Sequence, residues 1–220
     1  MKKLYTINTV NNFMEIIYRP FVEPYCRRAG IEVFNVMDDS LLLSTRRDNG
    51  MTPKTASRMM HYAKAAQESG ADGVLVTCTS VNEATRQIRP FLSIPILNIE
   101  EPTAEQAVQA GRRIGILATL PTSPTAMERV LREKAAAAGK EIEIVTRVAD
   151  GAFDVLCAGN REKHDEMVRE ALYALAGSVD VIVFAQISMS LLPFDAQKVG
   201  KPVCMIGQPG LARIDALMGQ

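Results

Sequence analysis

The nine residues 178–186, SVDVIVFAQ, repeat the pattern of residues 70–78, GADGVLVTC, so that Gln186 stands 108 positions after Cys78. Two further matches fall at nearly the same spacing. The apolar run 114–119 ends on Thr119 as the run 4–9 ends on Thr9, 110 positions earlier, and Lys201-Pro202-Val203 follows Ile94-Pro95-Ile96 by 107. Three matches at nearly one offset in a chain of 220 residues describe two copies of one folding unit.

Within each copy, short β-rich apolar runs alternate with segments of helical period. Strand signals fall at 4–10, 31–37, 71–78, 95–99, 114–119, 141–148, 180–185 and 202–206, with helices between them. Strands separated by helices cannot be joined as hairpins and imply parallel sheets with crossover connections. The expected fold is α/β: two similar doubly wound parallel-sheet lobes related by a pseudo-twofold, with the active site between them. The lobes comprise 1–98 together with about 207–220, and 99–206. In detail, Pro20 and Pro24 should kink or delay the helix over 15–29, Thr103 with Gln106 should form a capping box, and 38–52 and 150–160 read as long polar connections.

The chain carries 25 basic and 25 acidic residues without a basic block long enough to follow a phosphate backbone, which argues against a nucleic-acid partner. No apolar run reaches the roughly 18 residues of a membrane span, and the first residues read as a strand rather than a signal peptide. A cytoplasmic protein is expected. Cys26, Cys78, Cys157 and Cys204 are far apart and outside any zinc spacing, so neither a metal site nor a disulfide framework is expected. His61 and His164 both sit in charged helical patterns and read as surface or packing residues.

The chemistry is concentrated where the run 71–76 ends in Thr77-Cys78-Thr79-Ser80, directly before a helix over 81–88. Ligands of α/β sheets bind at the carboxyl ends of strands, where helix N-termini and freed backbone N–H groups converge. A thiol at such a position is lowered from its reference pKa of about 8.5 and becomes a usable base. The alternative, that Cys78 is a small packing hydrophobe and that Thr79 and Ser80 are simple caps, stays open at this point. In two facing lobes, Thr9, Cys78, Thr79 and Ser80 would confront Thr119, Gln186 and Ser188, forming a cleft suited to a small carboxylate. Asn8 is a further candidate contact. Arg46 and Arg47, in the connection after the second strand, either clamp a second carboxylate or belong to a solvated loop.

These residues resemble the cofactor-independent aspartate/glutamate/hydantoin racemase superfamily, which also contains maleate isomerases and arylmalonate decarboxylases. The likeness covers nearly the whole chain. It rests on GADGVLVTCTS, RRIGILAT, SIPILNIEEPT, GAFDVLCAGN and DVIVFAQISM. It implies proton transfer at the α-carbon of a small carboxylic acid, with one cysteine from each lobe flanking that carbon. Cys78 matches the first of these cysteines, and Gln186 stands at the place of the second. An amide hydrogen-bonds but does not exchange protons at neutral pH. The resemblance therefore implies a racemase or isomerase, or a one-cysteine decarboxylase, lyase or maleate-isomerase-like enzyme, and leaves room for a catalytically silent small-molecule sensor. The expected partner is a small carboxylate, without nucleic acid or membrane, and with a homo-oligomer left open.

Overall fold

The computed structural model describes all 220 residues and divides them into two compact units, 1–99 with 207–220, and 100–206. The first unit begins with β1 (Lys2–Asn8), a π-helical segment (Met14–Val22), α1 (Glu23–Ala29), β2 (Ile31–Met37), α2 (Asp39–Arg47) and α3 (Pro53–Glu68). It continues through β3 (Gly73–Val76), a 3-10 turn (Thr79–Val81), α4 (Asn82–Ile88) and β4 (Ile96–Asn98). Its sheet has the order β2-β1-β3-β4, and every pairing is parallel. Each crossover lays a helix on a sheet face, so the central strand β3 is buried along its whole length. Val74 and Val76 pack with Ile7, Leu41, Met59, Ala63 and Ile88 on one side.

The second unit repeats this order with α5 (Glu101–Ala110), β5 (Arg113–Ala118), α6 (Thr122–Ala137), β6 (Glu143–Val148), α7 (Ala152–Cys157) and α8 (Arg161–Ala176). It ends with β7 (Val181–Phe184), a 3-10 turn (Ile187–Met189), α9 (Ala196–Val199) and β8 (Val203–Cys204). The sheet order is β6-β5-β7-β8, again wholly parallel. Leu117, Val168, Leu172, Leu175, Ile182, Phe184 and Met189 fill one of its faces.

The last helix, α10 (Gln208–Leu217), returns to the first unit. Its Leu211 and Ile214 are fully buried. Asp215 accepts from Lys2 Nζ at 2.7 Å and from the Tyr25 hydroxyl at 3.2 Å, fastening the helix to β1 and α1. The contact is close because small residues permit it. A side chain on Gly73 would strike Met218 at 2.7 Å, and one on Gly210 would lie 2.4 Å from the backbone oxygen of Ile99.

Several local expectations are corrected. The segment 38–52 is not an open connection: Asp38 caps α2 through Ser40 N at 3.1 Å, and Leu41, Leu42 and Thr45 bury one side of that helix. The Asp38 carboxylate also takes Arg58, the Tyr62 hydroxyl at 2.7 Å and the Ser40 hydroxyl at 2.7 Å. Burial pushes its pKa up, but the hydrogen bonds and the Arg58 charge outweigh this and hold it below the ordinary value. The segment 150–160 likewise contains α7, which buries Ala152, Phe153 and Leu156. Pro20 lies within the π-helical segment, whose wider turn is marked by Glu23 N donating to Tyr18 O. Thr103 does not cap: α5 starts two residues earlier, and the Thr103 hydroxyl donates to Met205 O at 3.3 Å.

The Gly210 contact gives a direct test of α10 docking. Gly210→Ala places a methyl against fixed backbone and is expected to cost about 2 kcal/mol in urea unfolding. Gly177→Ala, at an open helical position with φ −68° and nothing within 4 Å, should be neutral or slightly stabilising.

Candidate functional site

In both sheets the order reverses between the first and third strands of the unit, so the crossovers leave in opposite directions at the carboxyl ends of β1 and β3, and of β5 and β7. Such a switch point is where an open α/β sheet leaves room for a ligand. The residues singled out from the sequence lie at these two places, apart from Arg46 and Arg47 in the last turn of α2.

In the first unit, Asn8 ends β1 and is fully buried. Its Nδ2 donates to Thr6 Oγ1 at 2.8 Å and to Val36 O at 3.1 Å, while its Oδ1 accepts the Thr77 hydroxyl at 2.7 Å. Asn8 thus ties β1, β2 and β3 together at their carboxyl ends. Thr9 follows, buried, and its Oγ1 has no hydrogen-bond partner. Cys78 has extended backbone, φ −123° and ψ 113°, and begins the 3-10 turn, with Val81 N donating to its carbonyl at 3.3 Å. The helix expected over 81–88 is this turn followed by α4. Cys78 is partly exposed, and Thr79 and Ser80 are buried.

The other thiols occupy different settings. Cys26 is buried in α1, and burial together with the Asp215 charge pushes it up to about 11. Burial also raises Cys204, on the edge strand β8. Cys157 is exposed in α7.

In the second unit, Thr119 follows β5 and Gln186 follows β7. Gln186 Oε1 accepts from Thr119 N at 2.6 Å and Gln186 Nε2 donates to Thr119 Oγ1 at 2.8 Å. This two-point clasp joins the ends of the central strands. Ser188, in the following 3-10 turn, is 3% exposed and its Oγ has no partner. Arg46 and Arg47 close α2 instead, and the Arg47 side chain is 75% exposed and pairs with its neighbour Asp48 at 2.9 Å. No group of three or more His, Cys, Asp or Glu side chains converges in a way that could hold a metal ion.

Sequence reasoning missed one buried polar pair. His61 is exposed, but His164 is fully buried in the first turn of α8. Its Nδ1 lies 2.7 Å from Asp165 Oδ1, and Nε2 has no partner. The charged neighbours Arg161, Glu162, Lys163 and Glu166 concealed this, since the position lies on the inward face of an otherwise solvated turn. Burial lowers the His164 pKa from 6.5, with the Asp165 carboxylate opposing.

The chain matches the family model described as Asp/Glu/Hydantoin racemase over residues 27–212. Among solved structures, it is similar to allantoin racemase from Klebsiella pneumoniae, at 18% identity and a TM-score of 0.71, covering 100% of this chain and 88% of that one. An aspartate racemase homologue from Pyrococcus horikoshii matches at 16% identity and a TM-score of 0.72, covering 100% of both chains. A mutant of arylmalonate decarboxylase in a sulfate-associated form matches at 14% identity and a TM-score of 0.62, covering 99% and 93%. At these identities the structures report the shared fold.

The buried imidazole sets a pH dependence. A histidine whose pKa is lower in the folded than in the unfolded chain favours folding fully above the unfolded value, and that contribution is lost as pH falls below about 6.5 toward the folded value. Urea midpoints measured between pH 7.5 and 5 should therefore fall more steeply for the wild-type protein than for His164→Gln.

Proposed function

Because the chain belongs to the Asp/Glu/hydantoin racemase family, we propose that it is a cytoplasmic enzyme of cofactor-independent proton transfer at the α-carbon of a small carboxylic acid, a racemase or isomerase with Cys78 as the base. The observation that carries this reading is the position of Cys78. It is the thiol two residues beyond the carboxyl end of β3, at the switch point and partly open, where a turn and helix begin.

In this mechanism the Cys78 thiolate removes the α-proton, and the electron pair moves into the substrate carboxylate to give an enediolate. Thr79 and Ser80 hold that carboxylate through hydroxyl and backbone N–H groups, each such donor being worth about 3 kcal/mol as the charge develops. The carbanion is quenched when a proton returns to carbon. From Cys78 it arrives on the face it left, whereas arrival on the opposite face inverts the centre. Thr9 lies beside the switch point as a further hydroxyl, and Thr119 and Ser188 supply hydroxyls in the second unit. Arg47 has the planar fork to clamp a second carboxylate, at the cost of its pairing with Asp48.

Gln186 favours a second reading, in which the enzyme is a one-cysteine decarboxylase, lyase or maleate-isomerase-like catalyst. Its amide is already committed to Thr119 and carries no proton that can be transferred at neutral pH. Opposite-face protonation then depends on water or another group. The structural likeness to an arylmalonate decarboxylase supports keeping this chemistry in view.

The two readings separate in D2O with amino acids, hydantoins and dicarboxylic acids as substrates, followed by mass and optical rotation. Deuterium incorporation with inversion indicates racemisation, and incorporation with retention indicates one-face exchange. Loss of CO2 or a moved double bond indicates the second reading. Cys78→Ala should slow whichever reaction is found by about 10²–10⁴-fold. If no substrate reacts the racemase reading fails, and if the variant matches the wild type Cys78 is not the base.

A further inference from the structure

Gln186 stands at the repeat position of Cys78, and Thr119 at that of Thr9, yet the two pairs are wired differently. In the first unit Thr9 Oγ1 is buried without a partner. In the second, Gln186 holds both the backbone and the side chain of Thr119. The orientation of this amide is fixed by chemistry. Thr119 N–H is a donor, so the group facing it at 2.6 Å must be the amide oxygen, and the amide nitrogen is left to face Thr119 Oγ1.

The consequence lies in the hydroxyl hydrogen. Thr119 Oγ1 accepts from Gln186, so its own hydrogen points away from the amide, and no acceptor within the protein receives it. Ser188 Oγ, two residues beyond Gln186, is buried and has no partner. Two buried hydroxyls without acceptors at one strand-end cluster carry an unmet desolvation cost. A ligand oxygen with lone pairs and no hydrogen would meet it, whereas an ammonium group would find donors facing donors.

The geometry points to Gln186 as a positioning residue. It turns the Thr119 hydroxyl hydrogen outward, and Thr119 and Ser188 together then receive a carboxylate oxygen. The inference rests on the proposed function for its choice of a carboxylate, and it gives the residue at the second-cysteine position a role that needs no proton transfer.

The test is malonate binding by isothermal titration calorimetry, using the full chain. Wild type should bind, and Thr119→Ser, which keeps the hydroxyl, should stay within about threefold. Thr119→Val and Gln186→Met should each weaken binding by roughly tenfold or more, since a hydrogen bond to a charged group is removed in the first and no longer aimed in the second. Because Gln186 acts through Thr119, the double variant should be no weaker than the weaker single variant, within about threefold. Gln186→Glu guards against misfolding. It still offers an oxygen to Thr119 N–H, but it attracts the hydroxyl hydrogen inward, and should lose malonate while melting near the wild-type temperature. Losses that multiply in the double variant, undiminished binding by Gln186→Met or Gln186→Glu, or a wild type that does not bind malonate would each overturn the proposal. Deuterium incorporation at the substrate α-carbon reads out Cys78 separately, so failure of the carboxylate site and failure of the catalytic base are distinguishable.

Discussion

Parallel pairing is the constraint from which the rest of this structure follows. A parallel strand cannot return through a hairpin, so each strand must be followed by a crossover long enough to reach the starting end again, and each crossover here includes a helix. Both sheet faces are thereby covered, which is why β3 and β7 tolerate unbroken apolar runs. All strands of a sheet also end on the same edge. The polar residues that terminate those runs, Asn8 and Thr9 with Thr77 and Cys78, and Thr119 with Gln186, are brought together by topology although 60 to 70 residues separate them in the chain.

The elements legible in the sequence are those whose signal is strong and local. Strands such as 114–119 and 180–185 are read from continuous apolar runs, and α3 and α8 from helical period. The repeat then makes each half a check on the other. Short helices were hidden for a physical reason: α2 and α7 have nine and six residues and bury only three positions each, too few to establish a period against polar neighbours. The helical start at Glu101 was hidden because Thr103 uses its hydroxyl for a tertiary contact with Met205, which local pattern cannot reveal.

The site was legible in its residue types and not in its wiring. Thr77-Cys78-Thr79-Ser80 and Gln186 stand out as strand ends, but whether a polar side chain faces a ligand or the framework depends on partners distant in sequence. Asn8 is the clearest example. Its place at the end of β1 marks it as a candidate substrate contact, and its amide also bonds to Thr6, Val36 and Thr77. Of the two histidines read as surface or packing residues, His164 is the packing case, a fully buried imidazole within a run of charged neighbours.

The return of α10 to the first unit has a consequence for how the chain is made. Residues 100–206 lie between the two parts of that unit, so the second unit is complete in sequence before Gln208 has been added. Synthesis proceeds from the N-terminus and units fold as they emerge. The unit begun first is therefore finished last, and until α10 arrives the surface around Gly73 and Ile99 waits uncovered, a stretch of apolar sheet for which the growing chain has not yet produced the matching helix.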